Sequence, residues 1–355
     1  MIRLGIAGFG NLGKGLVASL NNFSDLDLVG VFTRRDPSTL AQSGLCLKGR
    51  TVDFFSYREI LKFKDQLDVI ILAGGSREDI PKQGPDLIRN FNTVDCFDNH
   101  AEIPEYFAQM DKLAKDHKRV ALISTGWDPG LFSIQRFLSA AVLPDASTYT
   151  FWGPGLSQGH SDVVRRVKGV KYGVQYTLPR ESLLTQIRSG QEVDYSSAKA
   201  HTRQVFVVLE ESADPDAVVQ EIKSIPDYFA PYETEVNFIS EAEFLAKHQK
   251  MPHGGYVIRQ GFSSRAGGQG NFDKRDSAGG ANKLVASSQT EDHKARIEFQ
   301  LALDSNPEFT AGVSLAFARA AHRLYQQSEF GAKTVLDVPL SMLADKPSTE
   351  LLNFI

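Results

Sequence analysis

The sequence predicts an α/β protein in which an N-terminal, doubly wound parallel sheet is followed by a second α+β domain. Three observations predict it. A glycine fingerprint, GFGNLG, lies between an apolar run and an amphipathic stretch. Short apolar runs then alternate with helix-like stretches, as a parallel sheet with crossover helices requires. From about residue 149 strand-like runs follow one another between polar turns, so the architecture changes there. With 355 residues the chain is long enough for two cores.

Residues 2–7 (IRLGIA) read as a buried strand, residues 8–13 as a turn, and Leu12, Leu16 and Leu20 as one face of the helix that follows. Residues 28–32, 69–73, 93–96 and 120–123 supply four more strands, five in all, enough for a Rossmann dinucleotide-binding domain over residues 1–128. Phe132, Ile134, Phe137, Leu138 and Val142 mark a helix leading into the second domain, residues 129–307. There, residues 149–152, 175–178, 204–209, 235–239 and 256–258 are expected in a mixed sheet, and residues 296–303 alternate apolar and polar. A Gly/Ser/charged tract at about 261–294 cannot supply a core and is expected as a flexible insertion without assigned function. After Pro307, a helix over 309–324 with Phe309, Val313, Phe317, Ala320 and Leu324 on one side is expected to pack, with the tail to 355, back on the first domain.

Composition excludes several classes of protein. A net charge of -4 is not that of a chain neutralising a phosphate backbone, so nucleic acid is not expected as a partner. Residues 69–73, the longest apolar run, fall far short of a membrane span. The fingerprint stands where a cleavable leader would begin, so secretion is not expected. Cys46 and Cys96 belong to no CxxC or Cys/His pattern, which argues against disulfides and zinc and fits a reducing cytoplasm. None of the eight histidines has HxxxH or HExxH spacing, so no metal is expected.

Gly8, Gly10 and Gly13 let backbone N–H groups approach a pyrophosphate at a helix N-terminus. At the end of the second strand, where an acid would accept from a free ribose 2'-hydroxyl, stand Thr33, Arg34 and Arg35. Two guanidinium groups and a hydroxyl suit a 2'-phosphate, so NADP is favoured over NAD; Asp36 next in line argues the other way, and two solvated arginines are the plain alternative. Strand ends also carry Ala73, Gly74, Gly75 and Ser76, then Asp98, then Ser124 to Gly130 with Asp128. Asp98 and Asp128 would together hold a substrate ammonium; each serves equally well as a helix cap. In the second domain FWGPGLSQGHSD (151–162) is a polar, glycine-broken stretch suited to ligand contact. His201 and Arg203 share a strand face, with Arg203 a candidate carboxylate clamp, and His253 sits on the turn MPHGG. Taken singly, these are also what surface loops and ion pairs contain.

GFGNLG, TRR, DNH, STGWDPG, FWGPGLSQGHSD, QYTLP, HTRQ, PDYF, MPHGG and NPEFTA together resemble the meso-diaminopimelate dehydrogenase (diaminopimelate D-dehydrogenase) family. The resemblance spans nearly the whole chain except the 261–294 tract and the tail. It implies a cytoplasmic homodimer whose NADP-binding Rossmann domain is joined to a substrate-binding and dimerisation domain. It also implies reversible oxidative deamination of meso-2,6-diaminopimelate at its D-centre, giving L-2-amino-6-oxopimelate (tetrahydrodipicolinate) and ammonia, within lysine and peptidoglycan precursor synthesis. Carried over, Phe9, Asn11 and Leu12 beside the three glycines, Thr33, Arg34 and Arg35, and Ala73, Gly74, Gly75 and Ser76 line the cofactor. So do Cys96, Phe97 and Asp98, and Thr125, Gly126, Trp127, Asp128 and Pro129. Asp98 and Asp128 hold the reacting ammonium as the catalytic pair. Trp152, Gln158, Gly159, Thr177, Arg203, His253 and Asn306 bind the rest of the substrate, with Asp162 close to the end that does not react. Two rivals remain from the residues alone: another NADP-dependent amino-acid or semialdehyde dehydrogenase, and a non-catalytic NADP-binding regulator.

Overall fold

A computed structural model describes residues 1–264 and 291–355 of the chain. The chain splits into two units, Met1–Gln135 with Leu303–Ile355, and Arg136–Ala302. The breaks fall a few residues from the expected 128/129 and 307/308, so Asn306 belongs to the first unit.

In the first unit β1 (Ile2–Ala7), β2 (Leu26–Thr33), β3 (Phe54–Ser56), β4 (Val69–Leu72), β5 (Asn92–Asp95) and β6 (Val120–Leu122) alternate with helices. They pair in parallel in the order β3-β2-β1-β4-β5-β6, and strand Gly331–Lys333 adds beyond β6. The winding reverses between β1 and β4, the crevice at which open α/β sheets bind ligands. Helices cover both faces, so the central strand β4 is apolar throughout: Val69, Ile70, Ile71 and Leu72 are all fully buried. Each such side chain contributes roughly 1.5–3 kcal/mol relative to exposure. Two strands beyond the expected five, β3 and Gly331–Lys333, are three residues each, too short to carry a periodic signal.

The helix Asn306–Gln326 packs on the helix Asn11–Ser19 in the core that also holds Leu16, Leu20 and Val69. Its inward side is Ala311, Leu315, Ala318 and Ala321, while Phe309 and Val313, expected inside, are only partly covered. Close approach explains the difference. A Cβ on Gly15 would lie 2.7 Å from the Pro307 carbonyl oxygen, and Ser19 Oγ donates to the Glu308 carbonyl at 3.0 Å, so only small residues fit where the helices cross.

In the second unit β7 (Ala146–Trp152), β8 (Gly155–Leu156), β9 (Val170–Pro179), β10 (His201–Leu209), β11 (Glu233–Phe238), β12 (His253–Ser264) and β13 (His293–Leu303) form two sheets, not one. The first, β8-β9-β10-β11, is mixed, with only β10 and β11 parallel. The second runs β13-β12-β7. Each covers its own apolar cluster, Val164, Val205, Val207 and Phe229 for one and Phe151, Leu184, Ile187 and Ile258 for the other. The tract expected as a flexible insertion is shorter than 261–294: Gly261 pairs with Ala146 as β12 runs on to Ser264, and β13 already begins at His293. The rest of that expectation, residues 265–290, lies outside the described residues.

Candidate functional site

The fingerprint turn is fixed by its neighbours. Gly8 N–H donates to the Phe32 carbonyl on β2 at 2.9 Å, and Ala73 N–H donates to Ala7 on β1 at 2.8 Å. A Cβ on Gly13 would stand 2.4 Å from the Gly8 carbonyl oxygen, whereas one on Gly10 would meet nothing within 4 Å. Gly13 therefore closes the turn and Gly10 opens it. Beside it the helix Asn11–Ser19 begins with no side chain capping its N–H groups. The opening is a cavity of about 430 Å³ lined by Gly8, Phe9, Gly10, Asn11, Lys14, Thr33, Arg34, Arg35, Ala73, Gly74, Gly75 and Asp79. Uncapped helix N–H groups facing space are what a pyrophosphate needs.

Where β2 ends, the conflict between the arginines and Asp36 is resolved. The Asp36 carboxylate accepts from Ser38 N–H (3.1 Å), Ser38 Oγ (2.6 Å) and Thr39 Oγ1 (2.9 Å), so it is engaged in capping the short helix Pro37–Ala41. Those hydroxyls hold its pKa below the ordinary carboxylate value. Arg35 donates to the Phe9 carbonyl and lies over the Phe9 ring at 5.8 Å. Arg34 pairs with Asp79 at 2.8 Å, and Asp79 also accepts from Gly75 N–H at 2.9 Å. Thr33 Oγ1 accepts from Arg35 N–H at 3.1 Å. The residues present thus fit a dinucleotide with a charged ribose substituent. Asp79, which steadies both Arg34 and the Gly74–Gly75 turn, was not visible in the sequence reading.

The turns after β4, β5 and β6 are stitched together. Asp98 N–H donates to Ser76 Oγ at 2.9 Å. Ser124 Oγ donates to the Phe97 carbonyl at 2.8 Å, and Thr125 donates through both N–H and Oγ1, each at 2.8 Å, to the Asp95 carbonyl. Beyond them Gly126 and Pro129 close a loop through Gly126 N–H to the Pro129 carbonyl at 3.0 Å; Gly130, at φ +138°, would bring a Cβ 1.7 Å from the Gly126 oxygen, so glycine is obligatory. Asp128 is half-buried on this loop and Asp98 is exposed on its own. Trp127 Nε1 donates to Asn306 Oδ1 at 2.9 Å, which brings Asn306 to the same turn. Cys96 Sγ sits 3.1 Å from Ser314 Oγ, and burial pushes its thiol up to about 12, so it is a packing group rather than a nucleophile.

In the second unit Thr177 on β9 stands opposite Arg203 on β10. Both are buried, and Arg203 Nη1 donates to Thr177 Oγ1 at 2.5 Å. Its guanidinium centre lies 3.9 Å over the Tyr232 ring. Arg203 Nε and Gln175 Oε1 are buried with no hydrogen-bond partner, and among the described residues Arg203 has no carboxylate. A buried guanidinium so arranged is complementary to an incoming anion. Tyr232, its stacking partner, was missed from sequence because nothing local marks it.

His201 has a different task from the one its strand position suggested. Its Nε2 accepts from Trp152 N–H at 2.9 Å and its Nδ1 donates to the Ser197 carbonyl at 2.8 Å, so the ring is neutral and anchors Trp152. Burial lowers its pKa to about 4. Gln158 Nε2 reaches Met251 Sδ at 3.3 Å, and a Cβ on Gly159 would meet nothing within 4 Å. Asp162 pairs with Arg165 (3.3 Å) at the end of its own helix, Gln158–Arg165, and with Arg166 (2.6 Å) just beyond it. His253 is buried, its Nδ1 accepting from Gly254 N–H at 2.8 Å. Trp152, Gln158, Gly159, Asp162, Thr177, Arg203 and His253 thus lie in the second unit, and Asp98, Asp128 and Asn306 in the first.

Fold and site together define a two-unit, dinucleotide-dependent oxidoreductase. Residues 126–274 match the family described as the diaminopimelic acid dehydrogenase C-terminal domain. Meso-diaminopimelate D-dehydrogenase of Lysinibacillus sphaericus is 48% identical over 350 residues, covering 99% of this chain and 98% of that one. Among solved structures, Corynebacterium glutamicum diaminopimelate dehydrogenase in complex with DAP superimposes with a TM-score of 0.83 at 41% identity, covering 99% of this chain and 98% of that one. An engineered D-amino acid dehydrogenase bound to NADP+ gives 0.79 at 40% identity, with 99% and 98% covered. The chain belongs to the meso-diaminopimelate D-dehydrogenase family.

Proposed function

We propose that this chain catalyses the reversible, NADP-dependent oxidative deamination of meso-2,6-diaminopimelate at its D-centre, yielding L-2-amino-6-oxopimelate and ammonia for lysine and peptidoglycan precursor synthesis. The observation that carries the reading is likeness at 48% identity through 99% of the chain, which takes in both units rather than the nucleotide fold alone. When bound, NADP supplies the hydride acceptor. Gly10 and the first turn of the helix Asn11–Ser19 hold its pyrophosphate, and Thr33, Arg34 and Arg35 its 2'-phosphate. Phe9, Leu12 and Ala73 to Ser76 flank those groups, and Cys96 to Asp98 and Thr125 to Pro129 line the rest.

Asp98 and Asp128 take the reacting ammonium and orient its Cα–H, so reaction gains by positioning rather than by a strong acid or metal. Arg203, stacked on Tyr232, takes a carboxylate. Trp152, Gln158, Gly159, Thr177, His253 and Asn306 complete recognition, and Asp162 exchanges an arginine for the distal ammonium. A substrate with two ammonium and two carboxylate groups satisfies all these charges; a shorter amino acid leaves some unpaired, which is the basis of selectivity. The reading includes a homodimer working in the cytoplasm, where the NADP pool is exchanged; light scattering on the purified chain tests the dimer. The assay is direct. Meso-diaminopimelate with NADP should give NADPH absorbance, with little signal from NAD, the L,L isomer or monoamino acids, and absence of turnover with the meso isomer sinks the reading.

A further inference from the structure

We propose that Asp95, which contacts neither ligand in the reading above, is the positioning residue that sets Asp98 and Asp128 against each other. The inference rests on that reading for the role of the two aspartates. Asp95 ends β5 with no exposed surface. Its Oδ1 accepts two backbone N–H groups from different turns: Phe97, next to Asp98, at 3.0 Å, and Ser124, four residues before Asp128, at 3.1 Å. One oxygen therefore joins the turn after β5 to the turn after β6. Its Oδ2 is fixed by the hydroxyl of Tyr106 at 2.8 Å, and the Tyr106 ring in turn packs on Phe97 at 4.5 Å. Ser124 enters its turn at φ +57°, a conformation a non-glycine residue holds only when its surroundings impose it. The bond from its N–H to Asp95 is one of those constraints, and the bond from its Oγ to Phe97 is another.

A charged acceptor is suited to this post. Charge-assisted N–H bonds are shorter and stronger than neutral ones, and here they replace solvent at a site with none. An apolar residue at the end of β5 would leave two turn N–H groups unpaired, and the turns would be free to drift. Burial raises the carboxyl pKa to about 6, so the group is kept despite a cost to stability at neutral pH, as expected of a residue that serves geometry.

The test compares Asp95→Ala and Asp95→Asn with the unaltered chain. The alanine variant should raise KM for meso-diaminopimelate by about tenfold or more and lower kcat, since displacements of about 1 Å cost up to about a hundredfold. Affinity for 2',5'-ADP, which reads only the far end of the cofactor cavity, should stay within about twofold. The asparagine variant, which keeps an oxygen acceptor in place, should recover most of the loss. A residue that merely stabilised the fold would reduce the active fraction and Tm without moving KM. Unchanged KM in folded Asp95→Ala, or equal loss of 2',5'-ADP affinity, overturns the proposal. If the alanine variant does not fold, Tyr106→Phe, which releases Oδ2 alone, should raise the same KM by about threefold, and no change there overturns it equally. An unaltered chain that fails to turn over meso-diaminopimelate removes the functional reading and this inference together, whereas an active chain with indifferent variants removes only this inference.

Discussion

The two units hold their functional groups by different means. In the first, the groups sit on turns at the carboxyl ends of β1, β2, β4, β5 and β6, and what fixes them is backbone: N–H groups of Gly8, Gly75, Phe97, Asp98, Ser124, Thr125 and Gly126 each have a defined acceptor. In the second, Thr177 and Arg203 project from strand interiors whose backbone is already paired, and what orients them is other side chains, Gln175 and Tyr232. Backbone-held turns depend on the acceptors that hold their N–H groups rather than on the side chains they present, while a side-chain cluster depends on its own members. Substitutions in the second unit should therefore act on the substrate alone, and those in the first should separate into cofactor and substrate effects.

The largest effect is expected from Arg203→Ala. Truncating one partner of a buried charge pair costs about 2–5 kcal/mol, roughly thirtyfold to several thousandfold in kcat/KM for diaminopimelate. NADPH affinity by fluorescence titration should not change; a parallel loss of both would break the division of labour. Next comes Asp95. Its pKa is displaced from 3.8 to about 6 by burial, against the pull of its three hydrogen bonds, which amounts to about 3 kcal/mol. The folded state binds this proton more tightly than the unfolded one, so the stability it contributes is full below pH 4 and is lost as pH rises through about 6. The titratable groups facing it are Tyr106 and Cys96. Burial holds Tyr106 well above 10 and Cys96 at about 12, so neither ionises in that window. In denaturant titrations the advantage of Asp95→Asn over the unaltered chain should grow by up to about 3 kcal/mol between pH 4 and pH 7. A pH-independent difference would mean that burial does not raise the Asp95 pKa above its unfolded value.

The same contrast explains what the sequence could disclose. The fingerprint was legible because it is a demand on backbone shape that only glycine meets, and the long parallel strands because burial on both faces leaves them apolar. Asp98 and Asp128 were legible as acids at strand ends. Asp79, Asp95 and Tyr232 were not, because each matters through a partner far away in sequence: Arg34, Ser124 and Arg203. Asp36 carries a clear sequence signal: Asp followed by Pro, Ser and Thr is a helix-capping pattern, and it weakens the objection to a 2'-phosphate. The two sheets of the second unit merged into one in the sequence because alternation reveals which face of a strand is buried but not against what.

Arg35→Glu sharpens the first unit's half of the comparison. Loss of a charged hydrogen bond to phosphate is worth about 1.5–3 kcal/mol, so the preference for NADP over NAD should fall by roughly ten to a hundredfold, read as the ratio of kcat/KM values, with KM for diaminopimelate steady. Equal effects on the two cofactors would remove Arg35 from the phosphate site.

Tyr232→Leu should give the smallest effect and is the finest probe of the second unit. Leucine keeps apolar cover over Arg203 but offers no ring face, so what is lost is the attraction of the guanidinium to the aromatic quadrupole, about 0.5–2 kcal/mol for a desolvated pair. That corresponds to a rise of roughly twofold to thirtyfold in KM for diaminopimelate. Tyr232→Phe separates the ring from the hydroxyl, which bonds Ser197 Oγ at 3.0 Å and also acts favourably on Arg203. Because phenylalanine keeps the ring face, its KM should rise less than that of the leucine variant. If leucine and phenylalanine instead behave alike, the hydroxyl and not the ring orients Arg203, and the second unit is held as the first is, by hydrogen bonds.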